Sequence, residues 1–433
     1  MTPAARLAAA IDVLATIDRD RQPAAAALKA WGTAHRFAGS GDRAAIAGLV
    51  YDVLRRNASS AYLMGDDSAR ARALGMLKLE RQFDVEAIAA LCDGSRFAPP
   101  PLTEAERNAL VSGSLAGAPA PVAGDYPAWL DEQLANAFGD GRAAEAAAMA
   151  SRAPLDLRVN TLKCTPEAMR ASLAHLGASP TPWSPFGLRI GLGADARNPG
   201  IHAETDFLKG HIEVQDEGSQ LAALFTAPKP GEQVVDLCAG AGGKTLALAA
   251  LMQGKGRIVA TDADKRQLAP IHARLARAGA HNVEVRAPKG AADPLADLAG
   301  GADLVVVDAP CTGTGTWRRN PDAKWRMRPG ALDLRLKDQA LVLARAAALL
   351  RPGGRLAYIT CSVLEAENAA QVAAFRARHP EFSPATPAEI AAPLGSRAAA
   401  FLDAVRITPE GLLMTPRRTG TDGFFVAVLR RQP

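Results

Sequence analysis

Apolar positions in the first quarter of the chain recur at helical spacing. Leu7, Ile11 and Leu14 come first; Ile46, Leu49, Val50, Val53 and Leu54 then trace an i, i+3, i+4, i+7, i+8 stripe behind Asp42, a candidate cap. This predicts a small all-α bundle over residues 1 to about 115, with the Gly/Ala/Pro-rich run Ser112 to Gly124 as a linker. Tyr126-Pro-Ala-Trp-Leu130 opens a second helical segment that reaches about Arg152. Leu155 to Lys163 reads as a strand, Pro166 to Leu176 as a helix, and residues 180 to 215 as short strand-like pieces among Pro and Gly, together a small α+β module.

From about Glu217 the pattern becomes strand, helix, strand, helix. Val234–Leu237, Arg257–Asp262, Val283–Val285, Asp303–Asp308 and Arg355–Thr360 are the predicted strands, separated by helix-length segments such as Ala331 to Leu350, which Arg351-Pro-Gly-Gly354 closes. Val305-Val306-Val307 is an uninterrupted β-branched run, as expected of a parallel strand covered on both faces. The expected fold is α/β, a doubly wound and mainly parallel sheet. An Asp422-Gly423 turn before Phe424–Leu429 predicts a closing antiparallel hairpin. The expected domains are 1–125, helical; 126–220, linking helices and the α+β module; and 221–433, the doubly wound domain.

Composition narrows the class. With 433 residues the chain has room for two or three domains, and 48% hydrophobic content with mean hydropathy near zero describes a globular protein. A net charge of +5 is mildly basic and by itself weak support for a nucleic-acid partner. Five cysteines (Cys92, Cys164, Cys238, Cys311, Cys361) are an odd number with no Cys-x-x-Cys pair, which argues against a disulfide framework or a metal site and for a reducing compartment. No apolar leader and no run of eighteen apolar residues is present; a cytoplasmic protein without membrane contact is expected.

The candidate chemistry lies at strand ends. Asp308-Ala-Pro-Cys311 closes one strand and Thr360-Cys361-Ser362 the next, so two thiols are expected at the carboxyl edge where open α/β sheets bind ligands. The first strand runs into Asp236-Leu-Cys238-Ala239-Gly240-Ala241-Gly242-Gly243-Lys244-Thr245. A P-loop would need glycine where Cys238 stands, and the dinucleotide fingerprint would need its third glycine at Thr245. With Asp262 ending the second strand and placed for ribose hydroxyls, the pattern suits a nucleoside cofactor lacking a pyrophosphate: S-adenosylmethionine. Carbon 5 of a pyrimidine becomes nucleophilic once a thiolate has added at carbon 6. A carboxylate near N3 and the exocyclic amine supports that addition; Asp308 is the candidate, with Lys244 adding positive charge. The basic run after Cys311, with Arg318, Arg319, Lys324 and Trp325, suits phosphates and stacked bases, so these four are the candidate RNA contacts.

Asp308-Ala-Pro-Cys311, Thr360-Cys-Ser362 with Glu367-Asn368 following, and the loop Asp236–Thr245 together resemble the RNA cytosine-5 methyltransferases of the RsmB/Nop2/Sun family. Arg318-Arg-Asn-Pro-Asp-Ala-Lys-Trp325 favours its RsmB branch, and the helical start resembles that branch's NusB-like RNA-binding domain. The resemblance implies a class I methyltransferase fold and an RRM-like module at 126–220. It implies Cys361 as nucleophile, Cys311 in product release, cofactor contacts from Cys238 to Lys244 and from Asp262 and Asp308, and base contacts from Asp308 and Lys244. The residues alone favour Cys311, the Pro-Cys thiol, as nucleophile; the resemblance reverses that order. It further implies ribosomal RNA, 16S foremost, as substrate for a monomer without an obligate protein partner. Transfer RNA methylation and a non-catalytic assembly factor are the alternatives, and a P-loop ATPase is disfavoured by Cys238. One departure stands out. The aspartate expected after the third strand is missing from Val285-Arg-Ala-Pro-Lys289-Gly290, leaving Lys289 or Asp293 in its place.

Overall fold

A computed structural model describes residues 1–191, 199–288 and 293–433. The chain divides into two compact units: residues 1–152 with 317–329, and residues 153–316 with 330–433.

The first unit is helical. Its long helices Pro3–Asp20, Ser40–Arg55 and Ala69–Leu79 bury Leu7, Leu14, Ile46, Val50, Val53 and Leu74 in one apolar core. The stripe on Ser40–Arg55 faces inward as its spacing requires, but the cap expected at Asp42 is not there. Gly39 holds the N-cap position, and Asp42 lies in the first turn, where it pairs with the Met1 amino group and Arg6. The stretch Ser112 to Gly124 is not a linker between the units; the helical unit continues through it to Arg152. Helix Pro321–Arg326 also belongs here, although in sequence it follows the strand that carries Asp308.

The second unit holds two sheets. Strands β1 (Leu155–Val159), β2 (Ser179–Pro180), β3 (Gly187–Ile190) and β4 (Ile212–Val214) form an antiparallel sheet in the order β2-β3-β1-β4. The larger sheet comprises β5 (Gln233–Asp236), β6 (Arg257–Ala260), β7 (Val283–Val285), β8 (Ala302–Asp308), β9 (Leu350–Thr360), β10 (Phe382–Pro384), β11 (Arg406–Thr408), β12 (Gly411–Met414) and β13 (Phe424–Arg431). Its order is β11-β12-β13-β9-β8-β5-β6-β7, with β10 paired to β13. Strands β7, β6, β5, β8 and β9 are mutually parallel, and β13 runs antiparallel against β9. Val305, Val306 and Val307 on the central β8 are fully buried, each side chain contributing about 1.5–3 kcal/mol at most. The expected C-terminal hairpin exists as β12 and β13, yet Asp422-Gly423 is not its two-residue turn; residues 415–423, including a helical turn at Pro416–Thr419, make the connection.

The register places the site. Asp308 pairs with Ile359, and the Ala309 amide donates to the Ile359 carbonyl at 2.8 Å. Beyond that bond the two chains leave the sheet side by side at its carboxyl edge, carrying Cys311 and Cys361.

Candidate active site

The sulfurs of Cys311 and Cys361 lie 3.4 Å apart, both partly exposed. The hydrogen bond with Cys361, then burial, raises the Cys311 thiol well above its ordinary value. Either sulfur can be the donor of that contact, and the raised value favours the protonated form of Cys311. Three residues before Cys311, the Asp308 carboxylate meets the Lys244 ammonium at 2.6 Å. Lys244 is 6% exposed while Asp308 is about a third exposed, so the pair opens on its carboxylate side. The ammonium also lies 5.0 Å from the centre of the Phe424 ring.

The glycine loop between β5 and helix Gly243–Leu251 is pinned from three sides. The Gly240 amide donates to Asp262 Oδ2 at 2.9 Å, the Ala239 amide to the Thr261 carbonyl, and Arg274 Nη1 to the Ala241 carbonyl at 2.8 Å. Arg274 is itself held by Glu213 of the smaller sheet. Gly240 and Gly242 have φ of +51° and +84°, which side-chain-bearing residues rarely adopt, and a Cβ on Gly242 would stand 2.5 Å from Ile271. Beside Gly240 there is open space. Asp236, sealed at the end of β5, accepts from the Thr245 hydroxyl through Oδ2 while Oδ1 has no hydrogen-bond partner among the described residues. Burial raises its carboxyl to about 7. A glycine turn with open space beside Gly240 and an acid just past the end of β6 fit a nucleoside cofactor. Cys238 in the same loop is mostly buried, which pushes its thiol up and leaves it inert.

Other site expectations change. Lys324 is 1% exposed; it donates to the Arg55 carbonyl at 3.1 Å and packs over the Trp325 ring. Trp325 donates to the Leu54 carbonyl at 2.7 Å and packs on the helical core. Arg318 is 4% exposed, and its carbonyl accepts from Arg55. The helix at Pro321–Arg326 turns Lys324 inward and leaves Trp325 half-buried on the helical core, and Arg318, ahead of that helix, is buried as well. Arg319 is half-buried, while Arg326 and Arg328 are exposed. On the adenine side, Lys289 falls outside the described residues, and Asp293 is bound to Arg345 at 2.6 Å. Arg286, directly after β7, is locked between Glu284 and Asp297. Sequence reasoning also missed Glu367, a fully buried carboxylate whose only signal was its place after Thr360-Cys-Ser362.

The sheet order, the glycine turn with its acids and the paired thiols define a class I, S-adenosylmethionine-dependent methyltransferase. The profile of the family "16S rRNA methyltransferase RsmB/F" matches residues 223–430, and that of the RsmF/B-like ferredoxin-like domain matches residues 126–196. A protein of Synechocystis called "Probable ribosomal RNA small subunit methyltransferase B" is 32% identical over 314 residues, covering 71% of this chain and 67% of its own. The crystal structure of PH0851 superposes with a TM-score of 0.71 at 25% identity, covering 100% of this chain and 99% of that one. A methyltransferase homologue from Pyrococcus horikoshii gives 0.56 at 26% identity over 72% and 97% of the two chains. The chain belongs to the RsmB/Nop2/Sun family of methyltransferases. Its alignment spans about two thirds of the curated relatives' own length. Among the described residues no helix is long and apolar enough to cross a membrane.

Proposed function

We propose that the chain methylates carbon 5 of a cytosine in RNA, with 16S ribosomal RNA as the substrate. The observation that carries the reading is the pair of thiols 3.4 Å apart at neighbouring strand exits. One thiol attacks and the other manages protons, a division that a single cysteine cannot provide. Cys361 adds through sulfur to carbon 6 of a cytosine unstacked from its helix. Asp308, steadied by Lys244, holds the N3 and amine edge of the ring and supports its protonation during addition. S-adenosylmethionine, when bound, supplies an electrophilic methyl carbon; Gly240, Gly242 and Asp262 are the residues that would hold it. After methylation the carbon 5 proton must be removed and the Cys361–carbon 6 bond broken. As the carbon 5–carbon 6 double bond re-forms, the carbon 5 proton passes to water and Cys361 leaves as the thiolate; Cys311, 3.4 Å away, serves that release by donating its S–H to the departing sulfur.

The family profile and the names of the relatives support 16S RNA. Bisulfite sequencing of RNA from cells lacking the protein tests it. One 5-methylcytosine should vanish from 16S RNA and return with the intact gene. An unchanged 16S pattern with a loss confined to transfer RNA would overturn the choice of substrate.

A further inference from the structure

Glu367 lies on no reaction path described above, yet it is fully buried and touches both thiol-bearing loops. Its Oε1 accepts the Thr312 amide at 2.8 Å and Gln339 Nε2 at 3.0 Å. Its Oε2 accepts the hydroxyls of Thr312 and Ser362. Thr312 directly follows Cys311, and Ser362 directly follows Cys361. Gln339, reaching in from helix Ala331–Leu349, also donates to the carbonyl of Pro310, the residue before Cys311. The Tyr358 hydroxyl donates to the Glu367 carbonyl at 2.7 Å, fixing the carboxylate's own backbone. Around Cys361 the neighbouring Asn368 accepts from the Thr360 hydroxyl and donates to the Ser362 carbonyl at 2.9 Å.

We propose that Glu367 is a positioning residue: one buried carboxylate, with Gln339 beside it, sets the separation of the Cys311 and Cys361 sulfurs. The arrangement is asymmetric in a telling way. Cys361 follows directly from β9 and has Asn368 as a second brace, whereas Cys311 lies beyond Pro310, where ladder pairing has stopped. The Cys311 loop therefore depends on Glu367 and Gln339 more than the Cys361 turn does. A buried carboxylate accepting several bonds also resists replacement, because each donor left behind is an unpaired buried group. Gln at 367 keeps the shape but loses the charge-assisted hydroxyl bonds, so the Cys311 loop is the part that drifts.

The test uses the full chain and two readouts. In the first, diamide joins the two thiols: it takes both thiol hydrogens, is reduced to the hydrazine, and leaves a Cys311–Cys361 disulfide that peptide mapping detects. The sulfurs need to close by only about 1.4 Å, so the wild-type bond forms readily. Glu367→Gln should slow it by about tenfold with S-adenosylmethionine affinity by calorimetry unchanged; a wild-type rate overturns the proposal. Should that variant fold poorly, Gln339→Met, which removes the Pro310 link and one of the four bonds to the Glu367 carboxylate but keeps the carboxylate itself, should slow it by about threefold, and a wild-type rate there overturns it equally. The second readout rests on the function proposed above. With RNA, Glu367→Gln should lower kcat by about 100-fold at unchanged KM, the scale of a displaced reacting group. A protein–RNA adduct should then persist on a denaturing gel with both thiols present; a change in KM alone overturns the proposal. The diamide readout needs no RNA, so a protein that makes no 5-methylcytosine would sink the functional reading while leaving the positioning role to be decided by the thiols.

Discussion

Lys244 and Lys324 are both buried, 6% and 1% exposed, and they are accommodated in opposite ways. Lys244 stands in an ion pair 2.6 Å from Asp308, at the edge of the sheet where the thiols emerge. Among the described residues, Lys324 donates to the Arg55 carbonyl at 3.1 Å. The neighbouring carboxylate, Asp125, is occupied by the Ala58 and Ser59 amides and the Ser59 hydroxyl. Burial pulls Lys324 down to about 7, with Asp125 opposing it from a distance. A lysine with a direct, half-open carboxylate partner is equipped to meet a ligand. A lysine closed in among carbonyls and an indole is packing, and its charge is a cost to the helical unit.

The largest expected effect separates the two by activity. Lys244→Met and Asp308→Asn should each lower kcat by roughly 100-fold, the usual loss when a preorganised charged group is removed from a reacting centre. Lys324→Met should leave kcat within about threefold. Equal losses at the two lysines, measured on one RNA substrate, would erase the distinction. Asp308→Ala should also lower stability by about 2 kcal/mol, discounted for the exposure of that carboxylate, because it leaves Lys244 buried without a partner.

The second effect is in pH dependence. Lys324 is protonated in the unfolded chain up to about 10.4 but in the folded unit only up to about 7. Between those values the unfolded state binds more protons, so stability rises with pH, by up to about 1.4 kcal/mol per pH unit from this one group. Below 7 both states carry the proton and the group adds no slope. Urea midpoints of wild type minus those of Lys324→Met should therefore climb from pH 7 to 9 and be flat from 5 to 6.5. A flat difference throughout would mean that Lys324 keeps its charge when buried.

How much of this could be read in advance differs between the two regions for a physical reason. The parallel strands are buried on both faces and so appear as apolar runs; β8 stands out as Val305-Val306-Val307. Once β8 and β9 are neighbours, Cys311 and Cys361 must emerge together. In the stretch after Thr316 the charges and indoles do not form one surface. Asn320-Pro321-Asp322 carries a helix-start signal, with proline at the first helical position, and a helix there turns Lys324 and Trp325 inward. Glu367 stands in the sequence as part of the motif after Thr360-Cys361-Ser362, but its bracing role is hidden for another reason. Its partners Thr312, Gln339 and Ser362 lie up to 55 residues away along the chain, and no local period connects them.

The smallest effect concerns the part of the basic run that remains exposed. Arg328→Ala should weaken RNA binding a fewfold and reduce the slope of log K against log salt by about one, the signature of a single phosphate contact. An unchanged salt slope would show that this arginine contacts no phosphate.

The division of labour between the thiols is most directly tested on a denaturing gel with labelled RNA and S-adenosylmethionine. Cys361→Ala should give no turnover and no slow-migrating band, while Cys311→Ala should accumulate a covalent protein–RNA species. A trapped species in Cys361→Ala, with none in Cys311→Ala, would reverse the two roles and contradict the account.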